Sequence, residues 1–386
     1  MKIAHYVFSS IANPGGINSY VKRLARAQKE VGYEVIIYTR DCQSESIEID
    51  GISIKTISSD MELYNVSIQD GIYCIHLHDL VDARIFQSMP VVLTAHVASF
   101  VCLSMSMMLK KIKKPCPYVY SPVRCLYNHF SNRCGSIRPV KIYKEFKRLE
   151  IERRLFPLMH IIIPSSHYMD AYERSGFPKE QLHYIPHFLN IENSSANFIT
   201  GDTNRFLFHG RLAMDKGVDV LLHAASMLPE DVFIDVAGSG YYQSKLVQMA
   251  KDLHVSHKVI FHGELDFEGI KALMQNSLAE VVPSIWHETF CLSALEAQSY
   301  GRAVIAASAG GLKDIVVDGE TGYLVQPGDS HALSLAMKQL VDDRNLAARM
   351  GQNAWKRARE KFSLSEHLVA LEKVYKVAAN QKEGND

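Results

Sequence analysis

The stretch Ile3-Ala-His-Tyr-Val-Phe8, followed by Ser9-Ser-Ile-Ala-Asn-Pro-Gly-Gly16, decides how this chain folds. A short apolar run reads as a strand, and the segment carrying Pro14, Gly15 and Gly16 reads as a loop. Ile17, Val21, Leu24, Ala25, Gln28 and Val31 then recur at three-to-four spacing until Gly32, which predicts a helix. Glu34–Thr39 is the next strand, and a β-loop-α-β unit of this kind starts a parallel, doubly wound sheet. The apolar runs Ile52–Ile57, Tyr73–His78, Val91–His96, Ile161–Pro164 and His183–Ile185 continue the pattern, so residues 1–192 read as one α/β domain.

Asn190–Asn204 is rich in Asn, Ser, Thr and Gly and reads as a linker. A second alternating series follows, with strands expected at Arg205–His209, Val232–Ala237, Val259–His262, Glu280–Pro283, Ala303–Ala307 and Gly322–Val325. Helices are expected near 217–227, 241–253, 266–276, 291–300 and 331–341, giving a second domain over 205–360. The tail, about 345–380, reads as helical; its last part, about 363–380, is available to pack back on the first domain, and Asn380–Asp386 as frayed. The fold class is therefore α/β, two Rossmann-like doubly wound parallel-sheet domains facing a cleft. Ligands of such sheets sit at the carboxyl ends of the strands.

The 386 residues are 47% hydrophobic and 22% charged, an ordinary globular composition with enough apolar material for two cores. Lys plus Arg and Asp plus Glu are 42 each, and a zero net charge argues against a nucleic-acid-binding surface. The seven cysteines are Cys42, Cys74, Cys102, Cys116, Cys125, Cys134 and Cys291, an odd number. Met1-Lys2-Ile3-Ala4-His5 runs straight into a strand without a signal peptide, so the expectation is a reducing cytoplasm and free thiols. The sequons at Asn65 and Asn193 are then coincidental. No stretch of about eighteen uncharged apolar residues exists to span a membrane.

The chemistry is concentrated in the strand-to-helix loops. His209-Gly-Arg-Leu-Ala-Met-Asp-Lys-Gly217 sets Arg211 and Lys216 beside the start of a helix, where the macrodipole already favours an anion such as a diphosphate. Gly238-Ser-Gly240 lacks the third glycine of a dinucleotide fingerprint, since residue 243 is Gln, and Gly15-Gly16 is followed by no Lys-Ser/Thr. Two glycines opening a helix still present bare amides to a phosphate. In Pro283-Ser-Ile-Trp-His-Glu-Thr-Phe-Cys-Leu-Ser-Ala-Leu-Glu-Ala-Gln-Ser-Tyr-Gly301, Glu288 precedes a helix and Glu296 lies inside it. Eight residues is slightly over two turns, so the two carboxylates are expected on one side. Glu296 stands among Ala294, Leu295 and Ala297, where a charge is costly unless it is paired or binds a ligand.

Together these elements resemble the retaining nucleotide-sugar glycosyltransferases of family four, with the two-domain GT-B fold. The matching residues are Gly210-Arg-Leu, Lys216-Gly217, Gly238-Ser-Gly240, Glu288-x7-Glu296, Gly310-Gly311 and Asp318-Gly-x-x-Gly322 with Leu324-Val325. The first half matches through Gly15-Gly16, His78 and Thr94-Ala-His96. The resemblance implies that Arg211 and Lys216 bind the donor diphosphate, that Glu296 holds the ribose hydroxyls and that Glu288 holds the donor-sugar hydroxyls. It implies a glycine approach at Gly238, amides from Phe290, Cys291, Leu292 and Ser293 meeting the distal phosphate and sugar, Gly16 approaching from the other domain, and His96 near the sugar. It also implies a nucleotide diphosphate sugar as donor and a glycan or lipid-linked glycan as acceptor, in cell-surface polysaccharide synthesis, with no metal and no cofactor. Cys291 stands where Gly is common in the family, and Asp314 where Glu is common. The alternatives are a sugar-nucleotide epimerase of the same fold and a non-catalytic nucleotide-sugar-binding scaffold.

Other residues have plainer readings. His76 and His78 alternate on a strand, His209 and His262 end strands as structural groups, and Met105, Met107 and Met108 pack. Cys116, Cys125 and Cys134, with eight residues between each and His129 among them, lack the close spacing of a closed zinc site. From Lys110 to Arg154 there are 13 basic residues against three acidic ones, Glu145, Glu150 and Glu152. With the apolar run Val101–Leu109 beside them, residues 101–154 suit either an anionic membrane surface or a solvated hairpin near the acceptor.

Overall fold

The computed structural model describes residues 1–11, 15–40, 46–82, 89–189 and 203–383. Pro14, Cys42, Asn193 and most of the Asn190–Asn204 linker lie outside them. The first sheet has the order Leu182–Tyr184, His160–Ile163, Val91–Thr94, Cys74–Leu77, Lys2–Val7, Glu34–Thr39, Ile52–Thr56, Ser46–Ile49. Its strands pair in parallel except for the antiparallel edge strand Ser46–Ile49. The second sheet is wholly parallel: Val259–Gly263, Phe233–Ala237, Arg205–His209, Ala279–Val282, Ala303–Ala307, Gly322–Val325. The central strands are enclosed because helices cover both faces: Cys74–Leu77, Val91–Thr94, His160–Ile163 and Ala303–Ala307 are buried throughout. The architecture is the expected pair of Rossmann-like domains.

The helix Gly16–Glu30 buries Tyr20, Val21, Leu24, Ala25 and Gln28 against the first sheet. Several helices start at side-chain caps: Asp266 accepts from Gly269 N–H, Asp329 from Ala332 N–H and Asp343 from Leu346 N–H, each satisfying an orphan amide. The tail is two helices, Arg344–Lys361 and Leu364–Glu383. The break falls where Leu189 bridges to Ser363, whose hydroxyl accepts from Glu366 N–H. Beyond it, Leu371, Val374, Tyr375 and Ala378 pack into the core of the first sheet. The last helix therefore returns to the first domain and ties the two together.

Residues 101–154 form a short Met108–Leu109/Lys114–Pro115 ladder and the helices Pro122–Ser131 and Pro139–Leu155. Val101, Leu103, Met107, Met108 and Leu109 are buried, so that apolar run is core and not a membrane-facing surface. The exposed apolar side chains lie further on. Val123, Leu126, Tyr127 and Phe130 are outward on the first of the two helices, at i, i+3, i+4 and i+7. Cys102, Cys116, Cys125 and Cys134 line one cavity of about 30 Å³ as free thiols, with His129 held by Glu145 at 2.9 Å. No described helix is long and apolar enough to cross a membrane.

Candidate active site

Each sheet is built outward from its first strand. Lys2–Val7 has Glu34–Thr39 on one side and Cys74–Leu77 on the other, and Arg205–His209 has Phe233–Ala237 and Ala279–Val282. The chain reverses its winding there, so loops on either side diverge and leave a crevice at the strand ends. In the second domain that crevice is bounded by the loop after His209 and the loop from Pro283 to Cys291. In the first it is bounded by Gly15, Gly16 and His78. The two faces meet. Thr289 Oγ1 donates to the His96 carbonyl at 2.9 Å, and Tyr168 OH to the His287 carbonyl at 3.0 Å. Asp314 accepts from the Ser166 amide at 2.7 Å and from its hydroxyl at 2.5 Å, holding the start of the helix Ser166–Arg174.

Lys216 Nζ lies 2.7 Å from Glu288 Oε1 and 5.5 Å from the centre of the Trp286 ring. Ser284 Oγ donates to the same carboxylate oxygen at 2.6 Å. Burial pulls the Lys216 pKa down, but Glu288 outweighs it and the ammonium is held above its ordinary range. Burial pushes Glu288 up, and Lys216 and Ser284 outweigh that to hold it low. The pair is thus a fully charged, buried ion pair at the crevice floor. Glu288 is outside the helix: it bridges to Gly310, and the helix begins at Leu292. Backbone pairing, not helical periodicity, aims this carboxylate. Gly310 has φ +57°, and a Cβ there would fall 2.2 Å from the Glu288 carbonyl oxygen, so the site requires glycine.

Glu296 is on the helix and answers to a different pair. Oε2 lies 3.1 Å from His209 Nε2, and Oε1 lies 3.4 Å from Arg23 Nη1 on the first-domain helix. His209 Nδ1 is 3.0 Å from Glu280 Oε1, so one imidazole stands between two carboxylates. Burial alone would favour its neutral form, but Glu280 and Glu296 outweigh burial and push the pKa up to about 10. Glu296 stays low because His209 and Arg23 overcome its own burial, whereas Glu280, fully enclosed, is raised by burial. Glu296 keeps about a third of its side chain exposed.

Of the remaining expected residues, Arg211 is on the rim, 61% exposed and 3.2 Å from Asp215. Cys291 has φ +99°, a left-handed conformation that glycine adopts without strain. Its thiol is pushed up to about 12 by burial, and no side chain caps the helix that follows, leaving the amides after Phe290 facing the crevice. A Cβ on Gly16 would meet nothing within 4 Å, whereas one on Gly238 would fall 1.9 Å from the Gly210 carbonyl oxygen. Gly16 borders open space; Gly238 lets two loops cross. His96 is partly buried, with its Nε2 3.0 Å from His78 Nδ1, and burial holds its pKa down to about 3. Arg23 and Glu280 were not anticipated. Glu280 carried a signal, a lone carboxylate inside the apolar run Ala279–Val282; Arg23 carried none.

Ring nitrogens of His5, His76 and His78 lie within 4.8 Å of one another, the spacing a metal would need. These nitrogens are already engaged: His5 to Gln28 and His78, and His76 to Tyr375 and Thr94. They form a hydrogen-bonded chain. A cavity of about 520 Å³ opens beside the crevice, between Lys114–Val119, the helix with His167, Asp170 and Arg174, and second-domain residues including His287 and Gln326.

Each half of the chain matches a known family. Residues 190–357 match the family described as glycosyl transferases group 1, and residues 14–193 match Glycosyltransferase Family 4. A D-inositol 3-phosphate glycosyltransferase of Corynebacterium diphtheriae is 36% identical over 186 residues, 46% of this chain and 43% of that protein. The chain thus spans less than half the length of this curated relative. Among solved structures, sucrose-phosphate synthase from Thermosynechococcus elongatus superposes with a TM-score of 0.75 at 21% identity, covering 97% of this chain and 98% of that one. Anabaena HepE in complex with UDP superposes at 0.72 with 18% identity, over 97% and 99%.

Proposed function

We propose that this chain, which belongs to the GT-B glycosyltransferase families that its two halves match, moves a hexosyl group from a nucleoside diphosphate sugar to a hydroxyl of a glycan or lipid-linked glycan. The observation that carries this reading is the buried Lys216–Glu288 pair at the mouth of an uncapped helix start, with Arg211 on the rim above it. A diphosphate arriving there meets Lys216, Arg211 and the amides from Phe290 to Ser293. Lys216 can turn from Glu288 to the phosphate, which frees the Glu288 carboxylate to accept from sugar hydroxyls. Glu296, partly exposed and flanked by His209 and Arg23, is placed to accept from the ribose. HepE, solved with UDP and with UDP-glucose, is a relative in fold whose ligands fit the same chemistry. Transfer proceeds with retention at the anomeric carbon. The leaving phosphate takes the acceptor proton, and the protein supplies orientation and charge stabilisation without a metal. The 520 Å³ cavity beside His287 is where the acceptor enters.

The two carboxylates are separable by calorimetry. Glu296→Gln weakens binding of the free nucleoside diphosphate, because ribose is part of that ligand. Glu288→Gln leaves that affinity nearly unchanged and lowers turnover, because its partner is the sugar. The opposite pattern would reverse the two roles.

The basic segment 110–154 docks the protein on anionic lipid. The support is the outward face of Val123, Leu126, Tyr127 and Phe130 among exposed Lys110, Lys111 and Lys114. Lys113 is engaged elsewhere, 2.5 Å from Asp219. Each cation near an anionic leaflet contributes about 1 kcal/mol. Sedimentation with phosphatidylserine vesicles is expected at low salt, falling as salt rises. Changing Lys110, Lys111 and Lys114 to Gln, or Tyr127 and Phe130 to Ser, reduces it with nucleotide binding intact. No sedimentation at low salt would refute the docking.

A further inference from the structure

Glu280 stands inside the buried strand Ala279–Val282, with none of its surface exposed. A carboxylate there is costly unless a cation offsets it. Strand register supplies that cation. Glu280 pairs with Leu207 on the neighbouring parallel strand, and His209, two residues on, lies on the same face as Leu207. Glu280 Oε1 accepts from the His209 backbone amide at 3.2 Å and lies 3.0 Å from the ring Nδ1. Its other oxygen, Oε2, has no hydrogen-bond partner among the described residues. The amide and ring of His209 are therefore what offsets this buried charge.

The ring carries the effect outward. Its Nε2 lies 3.1 Å from Glu296 Oε2, so both ring nitrogens face carboxylates, and only the doubly protonated imidazolium can donate to both. A buried pair of this kind contributes little net stability compared with apolar side chains, because desolvation offsets the attraction. What it does is fix a third group. With Oε2 taken by His209, Glu296 turns Oε1 toward the first domain, where Arg23 Nη1 stands 3.4 Å away. The charged groups bearing on the ring are Glu280 from the neighbouring strand and Glu296 from the helix Leu292–Ser299. Arg23, from the helix Gly16–Glu30, bears on Glu296. The series Glu280, His209, Glu296, Arg23 thus alternates in sign from the strand core to the cleft.

We infer that Glu280 is a positioning residue for the donor: acting through the His209 imidazolium, it keeps Glu296 ionised and aimed so that the ribose hydroxyls of a nucleoside diphosphate sugar replace Arg23 at Oε1. Glu280 itself is enclosed and touches no substrate. The ribose step rests on the donor site proposed above; the charge state of His209 does not.

NMR on the full-length protein with ¹⁵N-labelled histidine rings reads that charge state, with His209 assigned by the loss of its signals in His209→Gln. The wild-type ring is expected to be an imidazolium from pH 7.0 to 8.5. In Glu280→Gln the midpoint falls by at least about one pH unit, the effect of removing an opposite charge in contact, and the ring loses its proton within this range. Glu280→Met makes the same test if the first variant does not fold. Calorimetry then measures UDP, ADP and GDP at the two ends of the range. The wild type keeps its affinity for the tightest of these, and Glu280→Gln loses about tenfold at pH 8.5, as a charge-assisted contact is lost. His209→Gln, whose amide has no proton to lose, binds weakly at both pH values. Pyrophosphate, which has no ribose, shows no such loss with either protein. A wild-type His209 that is neutral at pH 7.0, or a midpoint unmoved by the Glu280 variants, overturns the inference. So does an affinity loss equal at both pH values, which is what a merely structural role gives. If none of the three nucleotides binds the wild type, the donor site and the ribose step fail together, and the NMR midpoint alone decides the link from Glu280 to His209.

Discussion

Acidified below pH 6.5, the protein loses stability with a slope of several protons. His5, His76, His78, His96, His187 and His367 are all held neutral by burial, with pKa values lowered to about 4 for His5 and His367 and about 3 for His96, and well below the ordinary range for the others. A histidine whose folded pKa is depressed contributes stability that is complete above its unfolded value of about 6.5 and is lost as pH falls toward the folded value. Below pH 6.5 the unfolded chain binds these protons and the folded one does not. Six such rings give up to about 8 kcal/mol per pH unit, against a total of roughly 5–15 kcal/mol for a folded domain. Glu280, raised by burial, and His209, raised by its two carboxylates, each oppose this by at most about one proton. Urea unfolding followed by circular dichroism at pH 7.0, 6.5, 6.0 and 5.5 measures the slope. A slope below one proton would mean the histidine cluster is open to water.

Lys216→Met is expected to lower both stability and turnover, and the two losses can be separated. Breaking a buried ion pair by removing one partner costs about 3–5 kcal/mol, because Glu288 would remain charged and enclosed. Turnover falls by at least about tenfold, the loss expected when a charge-assisted contact to the leaving diphosphate disappears. The double variant Lys216→Met/Glu288→Gln removes the unpaired charge and recovers most of the stability but none of the turnover. Recovery of both would make the pair a structural salt bridge. Arg211→Ala, on the exposed rim, lowers turnover with little change in stability.

The strands Glu34–Thr39, Arg205–His209 and Ala303–Ala307 were legible to the residue, because strands covered on both faces are short unbroken apolar runs. Ser46–Ile49 was not: an edge strand has one solvated side and no such run. The helix Pro122–Ser131 hid for the opposite reason, since its apolar stripe faces out and mimics core. In the site, Lys216, Glu288 and Glu296 were legible as charges in loops and apolar surroundings, but their partners were not. Arg23 meets Glu296 across 273 residues of sequence, and only domain closure brings them together. The histidine cluster depends on sheet register, which sets His5 opposite His76; the alternation of His76 and His78 told only that at least one of them packs in the core.

Transfer from a nucleoside diphosphate sugar with retention leaves a signature at the anomeric carbon of the product. The most direct measurement incubates the full-length protein in chelator with a panel of nucleotide hexoses and follows the anomeric proton of the released or transferred sugar by NMR. At least one donor is expected to release nucleoside diphosphate, with the α or β configuration of its sugar kept in the first-formed product. Inversion, or a sugar nucleotide epimerised with its diphosphate still attached, would contradict it.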